Sequence, residues 1–306
     1  MEGAATRRPV RVLSEARASF AVWRMMRAPR VPGWIFELVL LGALYGAYEL
    51  GRAMLESDLP TAMVNGGDIL HWERSWHLAP EHTLNQLMAH STPLAVIASY
   101  YYAALHYLLT PAVLIWMYRE RGERYRIART SLVVSTALGL IGFYLLPTAP
   151  PRLLPGSGIR DTLADVANWG WWSGDGSVPR GLGGLSNQFA AMPSLHVGWA
   201  LWCGVLVARF ARHVWLRCLA ALYPVGTAVV VLATGNHYLL DVFAGVATMA
   251  AGTAVALLLR WLRRRRAGGP PMDDLLGRDT SMLEPASTCC GQSVPGVTAC
   301  SGTAGA

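Results

Sequence analysis

Two short stretches of the sequence put ionisable side chains where the chain is otherwise apolar. Met192-Pro193-Ser194-Leu195-His196 opens one long hydrophobic run, and His237-Tyr238-Leu239-Leu240-Asp241 opens another. Imidazoles and a carboxylate at the mouths of membrane helices are costly, so residues kept there mark chemistry. His237 and Asp241 are four apart, which sets two side chains one turn apart on one helical face. Asp241 then accepts a hydrogen bond from one ring nitrogen and leaves the other as a free lone pair, the arrangement that makes histidine a nucleophile or base. His196 supplies a second imidazole, suited to protonating a leaving alkoxide.

A transferred phosphoryl group spreads negative charge over its oxygens, and its catalysis is mainly positioning plus positive countercharge. All 26 basic residues of the chain are arginine and none is lysine, so that countercharge has to be a guanidinium. The choices beyond the hydrophobic runs on the same side are Arg152, Arg160 and Arg180. Arg152 comes first: it ends Pro147-Thr148-Ala149-Pro150-Pro151-Arg152, where prolines stiffen the backbone and a bidentate contact to phosphate is in reach. Pro193 suits the first turn of a helix, which puts the backbone donors of Ser194, Leu195 and His196 at an N-terminus, an end that attracts phosphate. Thr234, Gly235 and Asn236 read as turn and cap before the last run, with Asn236 or Thr234 taking the N-cap. Arg152, Ser194 and Asn236 form the expected phosphate-binding set.

The elements that must position these residues are membrane helices. Hydrophobic residues make up 53% of the 306 and charged ones 15%, against about one-quarter charged in soluble domains. Runs of roughly 20 residues, long enough to cross the hydrocarbon as helix, fall near 34–55, 93–117, 130–147, 194–210, 214–233 and 238–260. The expected fold is all-α, a polytopic membrane bundle of six transmembrane helices. Arginines cluster before the first run, between the second and third, between the fourth and fifth, and after the sixth. With six alternating spans all these clusters share one side, which makes both termini cytoplasmic and opens both histidine motifs on the extracytoplasmic face. The domain reading is a basic cytoplasmic segment over 1–30, a six-span catalytic domain over 31–266, and a disordered cytoplasmic tail over 267–306. Exclusive arginine usage points to a GC-rich genome and a bacterial plasma membrane.

Other residues read more plainly. The five cysteines show neither CxxC nor metal-type spacing, so no disulfide framework or zinc site is expected. Trp169, Trp171 and Trp172 read as interfacial anchors. His106 reads as a packing residue within a span, and His71, His77, His82 and His90 as surface histidines.

The set Pro147 to Arg152, Pro193-Ser194-Leu195-His196 and His237-x-x-x-Asp241 resembles the type 2 phosphatidic acid phosphatase superfamily, especially its branch with the fungal inositol phosphorylceramide synthases. The resemblance covers roughly 90–262. It implies a six-helix lipid phosphatase or phosphotransferase that works through a phosphohistidine, without metal or other cofactor. His237 would be the nucleophile, Asp241 its orienting partner, His196 the acid, and Ser194 and Arg152 the phosphate holders. The superfamily's Ser-Arg pair before the nucleophile is Val230 and Val231 here, and Leu195 replaces the usual glycine. Loss of that arginine fits the inositolphosphotransferase branch.

Partners follow from that reading: a phospholipid or lipid-phosphate substrate, the bilayer, and a hydroxyl acceptor or water, with no nucleic acid. The alternative within the class is simple hydrolysis of phosphatidic acid or an isoprenyl phosphate. A histidine and carboxylate metal triad lacks the clustered histidine boxes of membrane di-iron enzymes. A non-catalytic transporter would place its polar groups near the bilayer midplane in repeated halves, and no internal repeat appears.

Overall fold

The structure, a computed structural model, describes residues 59–120, 122–172 and 188–266 and the isolated helical positions 35, 37–39, 42, 43, 46 and 50. The basic segment 1–30, Arg180 and the tail 267–306 lie outside the described residues. Contacts divide the chain into two units, one ending at Arg260 and the other starting at Trp261. In the second, the described residues 261–266 are helical, and the Arg265 guanidinium lies 3.8 Å over the Trp261 ring.

Every regular element among the described residues is helical: α1 (Leu59–Ser75), α2 (Pro80–Ala89), α3 (Thr92–Tyr100), α4 (His106–Glu120), α5 (Gly122–Leu145), α6 (Thr162–Asp165), α7 (Leu195–Phe210), α8 (Val214–Ala233) and α9 (Leu239–Arg266). Prolines in the first turns of α2 and α3 start those helices where the missing N–H costs nothing. The hydrophobic run expected near 93–117 is α3 and α4 joined by one wide π turn, Tyr101–Leu105. Such turns occur mostly as single-turn insertions and often at functional sites. The stretch 57–92 between the first two hydrophobic runs folds largely into α1 and α2.

Among the described residues three helices, α5, α8 and α9, are long and apolar enough to cross a membrane, and α7 is a shorter apolar helix. Their outer faces stay greasy: Ile141, Leu219, Leu222, Val225 and Phe243 are all more than half exposed. A continuous apolar exterior of this kind is suited to lipid rather than water. This is a membrane protein.

Inside, Met117, Ala128, Leu132, Trp202, Cys203 and Met249 join α4, α5, α7 and α9 in one core cluster. A second cluster carries Met88, Ala98, Ala103, Leu163, Trp172 and Ala233. Trp172 is not an interfacial anchor: it is fully buried and its indole N–H donates to the Leu163 carbonyl at 2.9 Å. Trp169 and Trp171 remain exposed. The connection from α5 to α7 is tied down at both ends, since the Thr148 amide donates to the Phe189 carbonyl and the Ala191 amide to the Thr148 carbonyl.

Candidate active site

The starts of α7 and α9 meet. The Ser194 amide, at the N-cap of α7, donates to the Asp241 carbonyl of α9 at 3.0 Å. A Cβ on Gly245, one turn further along α9, would run into the Ser194 carbonyl, so the close approach requires glycine. The expectation that Ser194 offers a free backbone donor is therefore corrected: its N–H is spent holding the two helices together. Its buried hydroxyl has no hydrogen-bond partner among the described residues.

His237 lies two residues before α9 begins, so the spacing argument for one helical face does not apply as drawn. The chain reaches the same contact through a tighter turn. Asp241 Oδ2 accepts from the Tyr238 amide at 2.9 Å and faces His237 Nδ1 at 3.2 Å. Both side chains are almost completely buried. With Nδ1 committed to the carboxylate, Nε2 is the ring nitrogen left to meet an electrophile.

His196 projects from the first turn of α7, and its ring centroid is 5.8 Å from that of His237. It is sandwiched by its neighbours: Tyr102, in the π turn, stacks on it at 4.5 Å and His106 meets it edge-on at 4.4 Å. The π turn and the first residue of α4 thus bring two aromatic rings against one histidine. His106, read as a packing residue, does pack, and what it packs against is His196.

Arg152 is drawn inward rather than solvated, its side chain only 3% exposed. Nε donates to Asn236 Oδ1 at 3.0 Å, a terminal nitrogen donates to Asp161 Oδ2 at 2.6 Å, and its amide donates to the Gly235 carbonyl. Neither Asn236 nor Thr234 caps α9. Asn236 instead donates to Thr234 Oγ1, and Thr234 donates to the Val230 carbonyl. The turn between α8 and α9 needs Gly235 at φ +73°, where a side chain would also strike Ile159. Arg152 and Asn236 thus form one bonded unit immediately before His237. Arg160 is exposed and pairs with Asp165 at 2.9 Å, while Arg180 lies outside the described residues.

Two carboxyls escaped the sequence reading. Glu73 of α1 and Glu81 of α2 are 3% and 0% exposed, and Glu73 Oε1 accepts from the Leu240 amide at 2.6 Å. Burial pushes the Glu73 carboxyl up to about 8, and the nearby Glu81 and Asp241 charges add to the rise while the Leu240 amide opposes it. Burial likewise raises Glu81, against the pull of Arg74. Four acidic residues, Asp58, Asp68, Glu73 and Glu81, against the single Arg74 give 57–92 the composition of a solvated loop, and Pro80 as a helix starter is a signal to the contrary.

The geometry offers a buried imidazole held by a carboxylate, a second imidazole beside it, and a guanidinium bonded to the residue that precedes His237. A family model for the PAP2 superfamily matches residues 67–255, more than half of the chain. The chain belongs to the PAP2 superfamily. No curated protein and no solved structure matches it. Membership makes this PAP2 protein a phosphatase or phosphotransferase of lipid phosphates, associated with the membrane. The matched span begins within α1 and ends within α9, so it takes in Glu73 and Glu81 as well as both histidine motifs.

Proposed function

We propose that this PAP2 protein breaks a lipid-linked phosphate ester through a covalent phosphohistidine on His237, on the extracytoplasmic face of a six-span bundle whose termini are both cytoplasmic. The observation that carries the reading is the buried 3.2 Å contact between His237 Nδ1 and Asp241. It fixes the tautomer, so that Nε2 presents its lone pair to phosphorus.

In the first half-reaction the Nε2–phosphorus bond forms and the bond from phosphorus to the lipid oxygen breaks. His196, protonated, gives its proton to the departing alkoxide. In the second half the neutral His196 takes a proton from the acceptor hydroxyl, whose oxygen attacks phosphorus. The phosphorus–nitrogen bond breaks and His237 returns to its starting form. Asp241 holds the ring through Nδ1 and stabilises the charge that develops on it. Arg152, preset by Asp161 and Asn236, supplies the positive countercharge, with Ser194 and Asn236 lining the phosphate position.

Water as acceptor gives a phosphatase, and an alcohol gives headgroup transfer. The transfer reading, of the inositol-phosphate type, is supported by two residues before the nucleophile, since Val230 and Val231 stand where phosphatases of the superfamily carry Ser-Arg. Purified protein incubated with labelled phosphatidic acid, an isoprenyl phosphate or phosphatidylinositol, with and without a diacylglycerol or ceramide acceptor, separates the two. Transfer predicts a labelled acceptor lipid. Free phosphate alone from the first two substrates, with no acceptor product, would make the protein a phosphatase. Turnover that survives His237→Ala would overturn the covalent reading.

A further inference from the structure

Glu73 and Glu81 lie on α1 and α2, outside the six hydrophobic runs of the sequence, yet their carboxyls are buried beside the start of α9. One of the four oxygens, Glu73 Oε1, is satisfied by the Leu240 amide, one residue before Asp241. The other three, Glu73 Oε2 and both oxygens of Glu81, are buried with no hydrogen-bond partner among the described residues. Two ionised carboxylates in that setting would leave three desolvated acceptors and two like charges together, which proteins avoid by keeping a proton. A proton on either carboxyl turns an unpartnered acceptor into a donor facing the other.

We propose that Glu73 and Glu81 are positioning residues: a carboxyl pair that retains one proton, holds the start of α9 through the Leu240 amide, and limits the negative charge standing behind Asp241 when a phosphate group arrives. This rests on the reading of His237 and Asp241 as the reacting dyad. The charged and titratable groups facing the pair are Arg74 on its own helix α1, and Asp241 and Tyr238 from the α9 side. Arg74 donates to the Ser157 carbonyl at 2.6 Å, and the Tyr238 hydroxyl donates to the Ala149 carbonyl at 2.8 Å. Asp241 is the group the pair acts on. A second charge on the pair adds to the field of Asp241 and repels an anionic phosphoryl group across a poorly screened interior. A proton kept by the pair removes that repulsion at neutral pH.

The test is binding of orthovanadate, a mimic of the transferring phosphoryl group, to the full chain in detergent between pH 7 and pH 9. Wild type, Glu73→Gln, Glu81→Gln and His237→Ala are compared. Both Gln variants keep the shape of the pair and remove one ionisation, and the amide oxygen introduced by Glu73→Gln can still accept from the Leu240 amide. Vanadate's own ionisation is common to all the proteins and cancels in the comparison. The affinity of wild type should fall between pH 7 and pH 9 by about tenfold more than that of either Gln variant, the size expected for one added charge at this range. Parallel pH profiles for wild type and both Gln variants would overturn the proposal while leaving the dyad standing, provided that His237→Ala loses vanadate. Vanadate binding unaffected by His237→Ala, or no binding to wild type, would overturn both.

Discussion

The Ser194 amide and the Asp241 carbonyl, joined at 3.0 Å, tie the two histidine-bearing helices together at their first turns. The contact is possible only because Gly245 lacks a side chain where it meets the Ser194 carbonyl. It sets the 5.8 Å spacing of the His196 and His237 rings from backbone rather than from mobile side chains. A valine at this position must push α7 and α9 apart. Gly245→Val should lower kcat by roughly 100-fold, the scale of a misplacement near 1 Å. Turnover and thermal unfolding of the detergent-solubilised variant check this: near-wild-type turnover with normal unfolding would show that the helix junction does not set the geometry.

The dyad predicts graded losses. Asp241→Asn keeps the size of the side chain but disturbs the tautomer of His237, and should slow the reaction by about 10⁴-fold, as removal of the orienting carboxylate does in triads. His196→Ala should cost most with poor leaving groups and least with a nitrophenyl ester, because a good leaving group needs no proton. Rates measured across a series of leaving groups check this, and an equal loss for all of them would remove His196 from the acid role.

Arg152 and Arg160 differ in a way that only the fold reveals. Arg152 is buried and bonded to Asn236 and Asp161, whereas Arg160 is an exposed residue paired with Asp165. Arg152→Ala removes a fixed countercharge and leaves Asp161 unpaired, so kcat/KM should fall by about 10²–10³-fold. An exposed ion pair contributes at most about 1 kcal/mol, so Arg160→Ala should change kcat/KM by less than about threefold. Steady-state kinetics of the two variants decide between them, and a reversed order would move the phosphate contact to Arg160.

Stability should depend on pH through Glu73. Its carboxyl, at 4.5 in the unfolded chain and about 8 in the fold, binds its proton more tightly when folded. The native state therefore holds more protons than the unfolded state between those values. Stability contributed by the protonated form is fully present below about pH 4.5 and is lost progressively as the pH rises to about 8. The melting temperature of wild type in detergent should drop across this window, and Glu73→Gln should flatten the drop. Melting curves collected from pH 5 to pH 9 check this; equal slopes for the two proteins would contradict it.

The histidine motifs were legible because cost makes them conspicuous: an imidazole beside a carboxylate at the head of an apolar run stands out by type and spacing alone. Arg152 came forward by elimination, since the absence of lysine left few cations. What escaped was whatever depends on tertiary contact. Asp161 and Asn236 became partners of Arg152 only when the α5–α7 connection met the α8–α9 turn. Glu73 and Glu81 sit in a mainly acidic segment whose composition mimics a solvated loop, although α1 and α2 bury both of them. Trp172 failed as an anchor for a related reason, since the run Trp169, Trp171, Trp172 does not disclose which ring turns inward to meet Leu163. The π turn at Tyr101–Leu105 carries no distinctive composition, yet it sets Tyr102 and His106 against His196.

The chemistry turns on a covalent bond between phosphorus and His237. Its most direct measurement is a rapid alkaline quench of the purified protein during turnover of phosphorus-labelled lipid phosphate, followed by mass spectrometry of the peptide bearing His237. Label is expected on His237, as phosphoryl or phospho-alcohol, and absent in His237→Ala. Turnover with no label on His237 at any quench time, or label on another residue, would contradict it.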